Sequence, residues 1–212
     1  MTYVLSVSEV SHAFGPRPGD VVVHDVSFRA GEHEIVVLAG RSGSGKSTLL
    51  HLVAGVMEPT HGSVEVLDGS TATRGDWSSV SLMPQRSAVS PELTVLENIA
   101  LPAALRGREI DEQLLESLGL TAIRDRPATD TSLGEQQRIS LARALVLAPA
   151  LVLLDEPTSH QDDDHVELVL ATMRRARDAG STLLVATHDQ RVIGLADRVV
   201  RLEQGRVVGT TP

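Results

Sequence analysis

Glu34-Ile35-Val36-Val37-Leu38-Ala39-Gly40-Arg41-Ser42-Gly43-Ser44-Gly45-Lys46-Ser47-Thr48 is an aliphatic run that opens into a glycine-rich loop and then a helical start. Five successive apolar residues without polar alternation read as a strand buried on both faces, the pattern of a parallel sheet covered by helices. The loop matches G-x-x-x-x-G-K-[ST] from Gly40 to Ser47, between a strand and a helix as that motif requires. Glycines let the backbone wrap so that its N–H groups, together with the positive end of the following helix, point at an anion. Gly40, Ser42, Gly43, Ser44, Gly45, Lys46, Ser47 and Thr48 are therefore the candidate nucleotide-binding residues. Lys46 is expected to bridge the β- and γ-phosphates, and Ser47 to place its hydroxyl on Mg2+.

A loop of this kind also serves kinases, GTPases and motors, so it does not settle the function alone. The second half lies more than a hundred residues on, in Leu151-Val152-Leu153-Leu154-Asp155-Glu156-Pro157. Asp155 ends four aliphatic residues, which puts it at the carboxyl end of a buried strand, where ligands of open α/β sheets bind. It is the candidate metal carboxylate. Glu156, one residue further, is expected to face the γ-phosphate and polarise an attacking water. A phosphate cradle plus two adjacent carboxylates points to an ATPase using ATP and Mg2+.

Composition fits. The 212 residues are 42% apolar and 22% charged, an ordinary globular balance. Aromatics are only 2%, so the core has to be aliphatic. No apolar run approaches the roughly 18–20 residues that span a bilayer, and the first residues lack a basic-then-apolar leader; direct membrane insertion is not expected. Zero cysteines exclude disulfides and thiolate metal sites and suit a cytoplasmic protein. A net charge of −9 disfavours nucleic acid as a partner while leaving room for one backbone-built anion site.

Short β-branched runs alternate with helical periods, the mark of an α/β fold. Tyr3 to Val10, Val21 to Phe28 and Gly62 to Leu67 read as strands of an antiparallel β layer, and a helix from near Lys46 ends at Gly55. From Pro91 to about Ala148 the pattern is almost wholly helical. Thr94-Val95-Leu96-Glu97 and Ser132-Leu133-Gly134-Glu135 both read as capping boxes that open helices. Ile139, Ala142, Leu145 and Val146 line the second of these, and Pro149 stops it. Strands return at Leu151 to Leu154 and Thr182 to Ala186 around a helix at Val166 to Ala179, and Asp197 to Leu202 with Val207-Val208 closes as a hairpin. The expectation is one domain over 1–212. Residues 1–85 and 149–212 form a P-loop NTPase core with a mostly parallel sheet and the N-terminal antiparallel layer; 86–148 form a helical subdomain.

Gln85 after a strand, Ser132 to Arg138 before the Asp155 strand, and Thr187-His188-Asp189 after the next strand stand in a particular order. With the loop and Asp155-Glu156, this order resembles the ATP-binding-cassette (ABC) ATPases, nucleotide-binding subunits of membrane transporters, over essentially the whole chain. The resemblance implies that Gln85 senses Mg2+ and the attacking water, and relays their state to a transmembrane permease partner. It implies that His188 contacts the γ-phosphate and that Phe14, usually Tyr in the family, stacks on adenine. Ser132 and Gly134 would touch the γ-phosphate of ATP held by a second copy of the chain, or by a paralogous ATPase, in a sandwich dimer. The chain would sit on the inner face of the cell membrane through its permease.

Two departures stand out. The usual Leu-Ser-Gly-Gly-Gln or -Glu is here Thr131-Ser132-Leu133-Gly134-Glu135, and the usual Ser-Ala-Leu-Asp is Ser159-His160-Gln161-Asp162. The stretch Gly69 to Gln85 is also short and lacks a helix common in the family. The Glu92 to Ile99 run and the overall brevity resemble the subgroup serving lipoprotein release, macrolide export and cell division. Within the class, an ATPase regulating a membrane complex without moving solute, or a weakly hydrolysing regulatory subunit, stays open. A DNA-repair or chromosome-organising ATPase would need a long coiled-coil insert, and no sustained heptad pattern is present.

Overall fold

The computed structural model describes residues 3–67 and 78–211. Most of the short Gly69 to Gln85 stretch, up to residue 77, lies outside the described residues. The elements in chain order are β1 (Tyr3–Ala13), β2 (Val21–Gly31), β3 (Ile35–Ala39), α1 (Lys46–Val53), β4 (His61–Val66), β5 (Val80–Met83), α2 (Val95–Ala104), α3 (Gln113–Ser117), α4 (Leu133–Leu145), β6 (Leu151–Asp155), α5 (Asp163–Asp178), β7 (Thr182–Thr187), α6 (Gln190–Ile193), β8 (Arg198–Glu203) and β9 (Arg206–Thr211).

Six strands make the central sheet in the order β5-β6-β7-β3-β8-β9, parallel except for the antiparallel β8-β9 hairpin. A second, three-stranded antiparallel sheet has the order β2-β1-β4. The fold is thus α/β with a mostly parallel P-loop core and an antiparallel layer beside it. The aliphatic run that opened the reading is the third-from-edge strand, and every residue of it is buried. Strand alternation sends its side chains to two different cores. Ile35, Val37 and Ala39, with Val152 and Leu154 of β6, pack against Ile99, Ile139, Leu141 and Val169 of the helices. Val36 and Leu38, with Leu151 and Leu153, pack against Leu49, Leu50 and Val53 of α1 and against Val7, Val26 and Phe28 of the small sheet. Phe28 is the only aromatic in the buried core of the described residues, so nearly all of this packing is aliphatic. Each fully buried Val or Leu contributes roughly 1.5–3 kcal/mol on transfer from water.

Boundaries shift where local patterning is weak. β1 and β2 run on to Ala13 and Gly31, because each partners the other through bulges that a two-residue period does not reveal. α5 starts three residues before Val166, since Asp162 caps it by accepting from the His165 N–H. The hairpin strand β9 extends to Thr211. The stretch read as almost wholly helical holds three α-helices joined by turns and single 3-10 turns. Both capping boxes form as expected, at Thr94–Glu97 and at Ser132–Glu135.

The register decides function. Asp155 pairs with Ala186, Leu38 pairs with Ala186 on its other side, and Met83 pairs with Leu154. The carboxyl ends of β5, β6, β7 and β3 therefore finish at one level. The residues just beyond them are Gln85, Glu156, His188 and the Gly40 loop.

Candidate functional site

The loop between β3 and α1 is shaped by glycines with left-handed backbone. Gly43 has φ +79° and Gly45 +97°, conformations that cost other residues strain. Gly40 is needed for space instead: a Cβ there would overlap the Leu202 carbonyl and lie 2.6 Å from Ser44 Oγ. Gly45 caps α1 without a side chain, so the first-turn N–H groups are left for an anion. Lys46 Nζ, 6% exposed, donates to the carbonyls of Gly40 at 2.8 Å and Arg41 at 3.1 Å, and lies 3.9 Å from Glu156 Oε1. Its ammonium is thus held within the cradle, on carbonyls that an incoming phosphate can replace as partners.

Asp155 is buried. Ser47 hydrogen-bonds to its carboxyl, yet Oδ1 has no partner. Burial pushes its pKa up and neighbouring Glu156 adds to this, while Ser47, His51 and Lys46 oppose. An orphaned buried carboxylate oxygen beside a serine hydroxyl is a hard oxygen set, and it fits Mg2+, which takes few protein ligands and completes its shell with water and phosphate. No cluster of three His, Asp or Glu side chains that could cage a metal occurs among the described residues, consistent with that sparse ligation.

Glu156 leaves the strand in a left-handed conformation, φ +49°, after its N–H has made one last ladder bond to the Ala186 carbonyl. Its carboxylate accepts from Thr187 Oγ1 at 2.9 Å and lies 3.0 and 3.1 Å from His188 Nδ1. With Nδ1 so engaged, the other ring nitrogen of the exposed His188 is free to face a ligand.

These groups border one cleft of about 680 Å³, lined by residues 40–48, Gln85, Glu156, Ser159 and His188, and on its far side by Arg201–Glu203. Of the expected site residues, Phe14, Ser132, Gly134 and Asp155 do not line it; Asp155 is buried against Ser47, which does. Phe14 is 65% exposed, with its ring edge-to-face against His12 at 4.9 Å. Ser132 is exposed at the start of α4, its Oγ accepting from Glu135 N–H while its own N–H donates to Glu135 Oε2 at 2.7 Å. Leu133 beside it is 61% exposed. Gly134 is buried, because a Cβ would sit 2.7 Å from the His160 carbonyl.

Sequence reasoning missed Gln137, which is 2% exposed. Its Nε2 donates to the Glu156 carbonyl and to Ser159 Oγ, both at 3.1 Å, and its Oε1 accepts from Ser87 Oγ at 2.9 Å. A signal was there: Gln137 and Arg138 lie three and four residues after Gly134, on the face that continues to Leu141 and Ala142. Of the residues that depart from the family pattern after Ser159, Gln161 turns its side chain inward, onto its own chain, and His160 is exposed with φ +60°.

A family model described as ABC transporter matches residues 23–159, more than half of the chain. This chain belongs to that family. The ABC protein is 41% identical over 206 residues to the lipoprotein-releasing system ATP-binding protein LolD of Anaeromyxobacter dehalogenans, covering 90% of this chain and 86% of that one. It is 33% identical to the macrolide export ATP-binding/permease protein MacB of Salmonella typhimurium, over all of this chain and 35% of that longer one. Among solved structures it is similar to the ATP-binding cassette MJ0796 in a dimeric post-hydrolysis state bound to ADP and Pi, with a TM-score of 0.88, 26% identity and 98% and 97% of the two chains covered. The ABC protein is accordingly an ATP-binding subunit and an ATPase of the transporter family. Among its described residues no helix is long and apolar enough to cross a membrane.

Proposed function

We propose that this ABC ATPase hydrolyses ATP at two sites, each shared between two copies, and through that cycle drives a separate transmembrane permease. The observation that carries the reading is the split of the site residues. The cleft is lined by Lys46, Ser47, Glu156, Gln85 and His188, with Asp155 buried against Ser47, whereas Ser132 and the α4 N-terminus stand outside it, exposed to a partner. Lys46 and the loop N–H groups bind the β- and γ-phosphates. Ser47, Asp155 and Gln85 hold Mg2+, which neutralises charge on the phosphates when bound. Glu156 accepts the proton of the attacking water, and His188, oriented through Nδ1, faces the γ-phosphate. Phe14 offers a ring face for adenine. The α4 N-terminus of the second copy, with Ser132 and the backbone of Gly134, closes the site by its dipole and free N–H groups.

In this reading residues 1–85 and 149–212 act as the nucleotide-binding core and 86–148 as the helical lobe that carries Ser132 and Gly134. The permease docks near Gln85 and holds the protein at the inner face of the membrane. Likeness to LolD and MacB supports a permease of the kind that serves lipoprotein release or macrolide export. A slowly hydrolysing, regulatory variant of the same subunit is favoured by one feature, the exposed Leu133 beside Ser132, which must be accommodated wherever that turn meets nucleotide. Turnover per subunit is expected to fall on dilution below the micromolar range. Specific activity that stays constant on dilution would overturn the shared site.

A further inference from the structure

The loop after Glu156 and the first turns of α4 are joined by two glutamines that reach in opposite directions. From α4, Gln137 donates to the carbonyl of Glu156 and to Ser159 Oγ. From the loop, Gln161 reaches back: its Nε2 donates to the Gly134 carbonyl at 2.8 Å, and its Oε1 accepts from Arg138 Nη1 at 2.6 Å. Between them the loop backbone lies directly on Gly134, at a spacing no Cβ would allow. Arg138 is 5% exposed and its Nε has no partner, so the Gln161 amide is its hydrogen-bonding group among the described residues. Burial holds the Arg138 pKa down, with Glu135 and Asp162 opposing through charge alone.

The residue type matters. One end of this side chain must accept from a guanidinium while the other donates to a carbonyl, and a primary amide carries both groups side by side. Glutamate could serve Arg138 but would set a lone pair against the Gly134 carbonyl; leucine could do neither. The loop so clamped is only six residues long from Glu156 to Gln161, and it carries left-handed residues at Glu156 and His160. A backbone shift at one end is not absorbed in between.

We propose that Gln161 is a positioning residue for ATP turnover: its amide locks the loop that bears Glu156 to the N-terminal turn of α4 within one chain, so that Ser132, Gly134 and Glu156 move as one body. This rests on the shared-site reading above. When the α4 turn of one copy closes on the other copy's nucleotide, the clamp sets Glu156 of the first copy at the same moment, which couples the two sites. Gln161 does not touch ATP, so its loss is felt in the chemical step rather than in binding.

The test uses the full-length protein with MgATP and two variants, Gln161→Leu and Gln161→Glu. Both are measured for kcat and KM, and again in a Glu156→Gln background for the ATP-driven dimer by light scattering. Gln161→Leu is expected to lower kcat about tenfold, the effect of losing a hydrogen bond to a charged group. KM should stay within about twofold and the dimer should form at unchanged ATP concentration within about threefold, as for a group that acts on the chemical step alone. Gln161→Glu, which keeps the partner of Arg138, should fall between this and the native protein in kcat; it carries the test if the leucine variant does not fold. Unchanged kcat in both variants overturns the clamp. So does a dimer that weakens in step with kcat, because Gln161 would then act across the interface. If the Glu156→Gln protein itself never dimerises with ATP, the shared-site reading falls instead, and the clamp is judged on the split between kcat and KM.

Discussion

The glycine loop and the start of α4 are both helix N-termini suited to anions, yet they are built differently. At the loop, Gly45 leaves the first turn uncapped, and the loop residues, Lys46 and Glu156 already line one cleft. At α4, the first turn is capped by its own side chains, Ser132 and Glu135, and faces outward. On the proposed shared site, assembly enters at this difference: one terminus would need only nucleotide, and the other, kept ordered by its internal cap, would receive an anion presented by a second surface.

The sharpest way to break this comparison is at the finished half. Glu156→Gln keeps the shape and removes the base, so phosphate release should fall by about two to four orders of magnitude while ATP is still bound. Phosphate release together with retained nucleotide by equilibrium binding checks this; a variant that turns over at the native rate would move the base elsewhere. Next in size is Gly134→Ala. A Cβ 2.7 Å from the His160 carbonyl forces loop and helix apart, at a cost of about 1–3 kcal/mol. The thermal midpoint should drop by several degrees and turnover should fall with it, so calorimetry and activity together are informative.

Gln137→Ala removes the partner of the part-buried Glu156 carbonyl and Ser87 hydroxyl and should lower stability by roughly 1 kcal/mol. Its effect on kcat should exceed its effect on KM, because what it holds is the backbone of the base. The smallest effect is expected at the α4 cap. Ser132→Ala should destabilise by about 1 kcal/mol. The same cap carries a pH dependence through Glu135. Although burial, the largest influence, pushes its pKa up, hydrogen bonds from the backbone and side chain of Ser132 and the charges of Arg126 and Arg138 together hold it below the usual value. A folded pKa below the unfolded one contributes stability above the ordinary carboxylate range, and that stability is lost as pH falls through the folded value. Denaturant melts of native protein and Glu135→Gln between pH 7 and about 3 should therefore converge toward the acid end of that range.

Much of this was legible because it is local. Ile35 to Ala39 reads as a doubly buried strand, the loop glycines as a cradle, and Thr94–Glu97 and Ser132–Glu135 as caps, since each is settled by residues within a few positions of one another. The start of α5 slipped because three consecutive aspartates, Asp162 to Asp164, leave the capping residue ambiguous until one accepts the His165 N–H. The partners of Gln137 and Gln161 were not legible, since they lie 19 to 50 residues away and amide pairs leave no periodic trace. Gln161, one of the residues that depart from the family pattern, is satisfied within its own chain.

The left-handed backbone at Glu156 has a consequence for how such a protein can drift. A non-glycine residue held there stores of order 1–3 kcal/mol, and Gly or Asn would relieve much of it. Selection for heat tolerance alone would reward that exchange and, on the proposed role of Glu156 as the base, silence the enzyme. That role would then sit on a residue the fold would rather replace, kept there only by the demand for turnover.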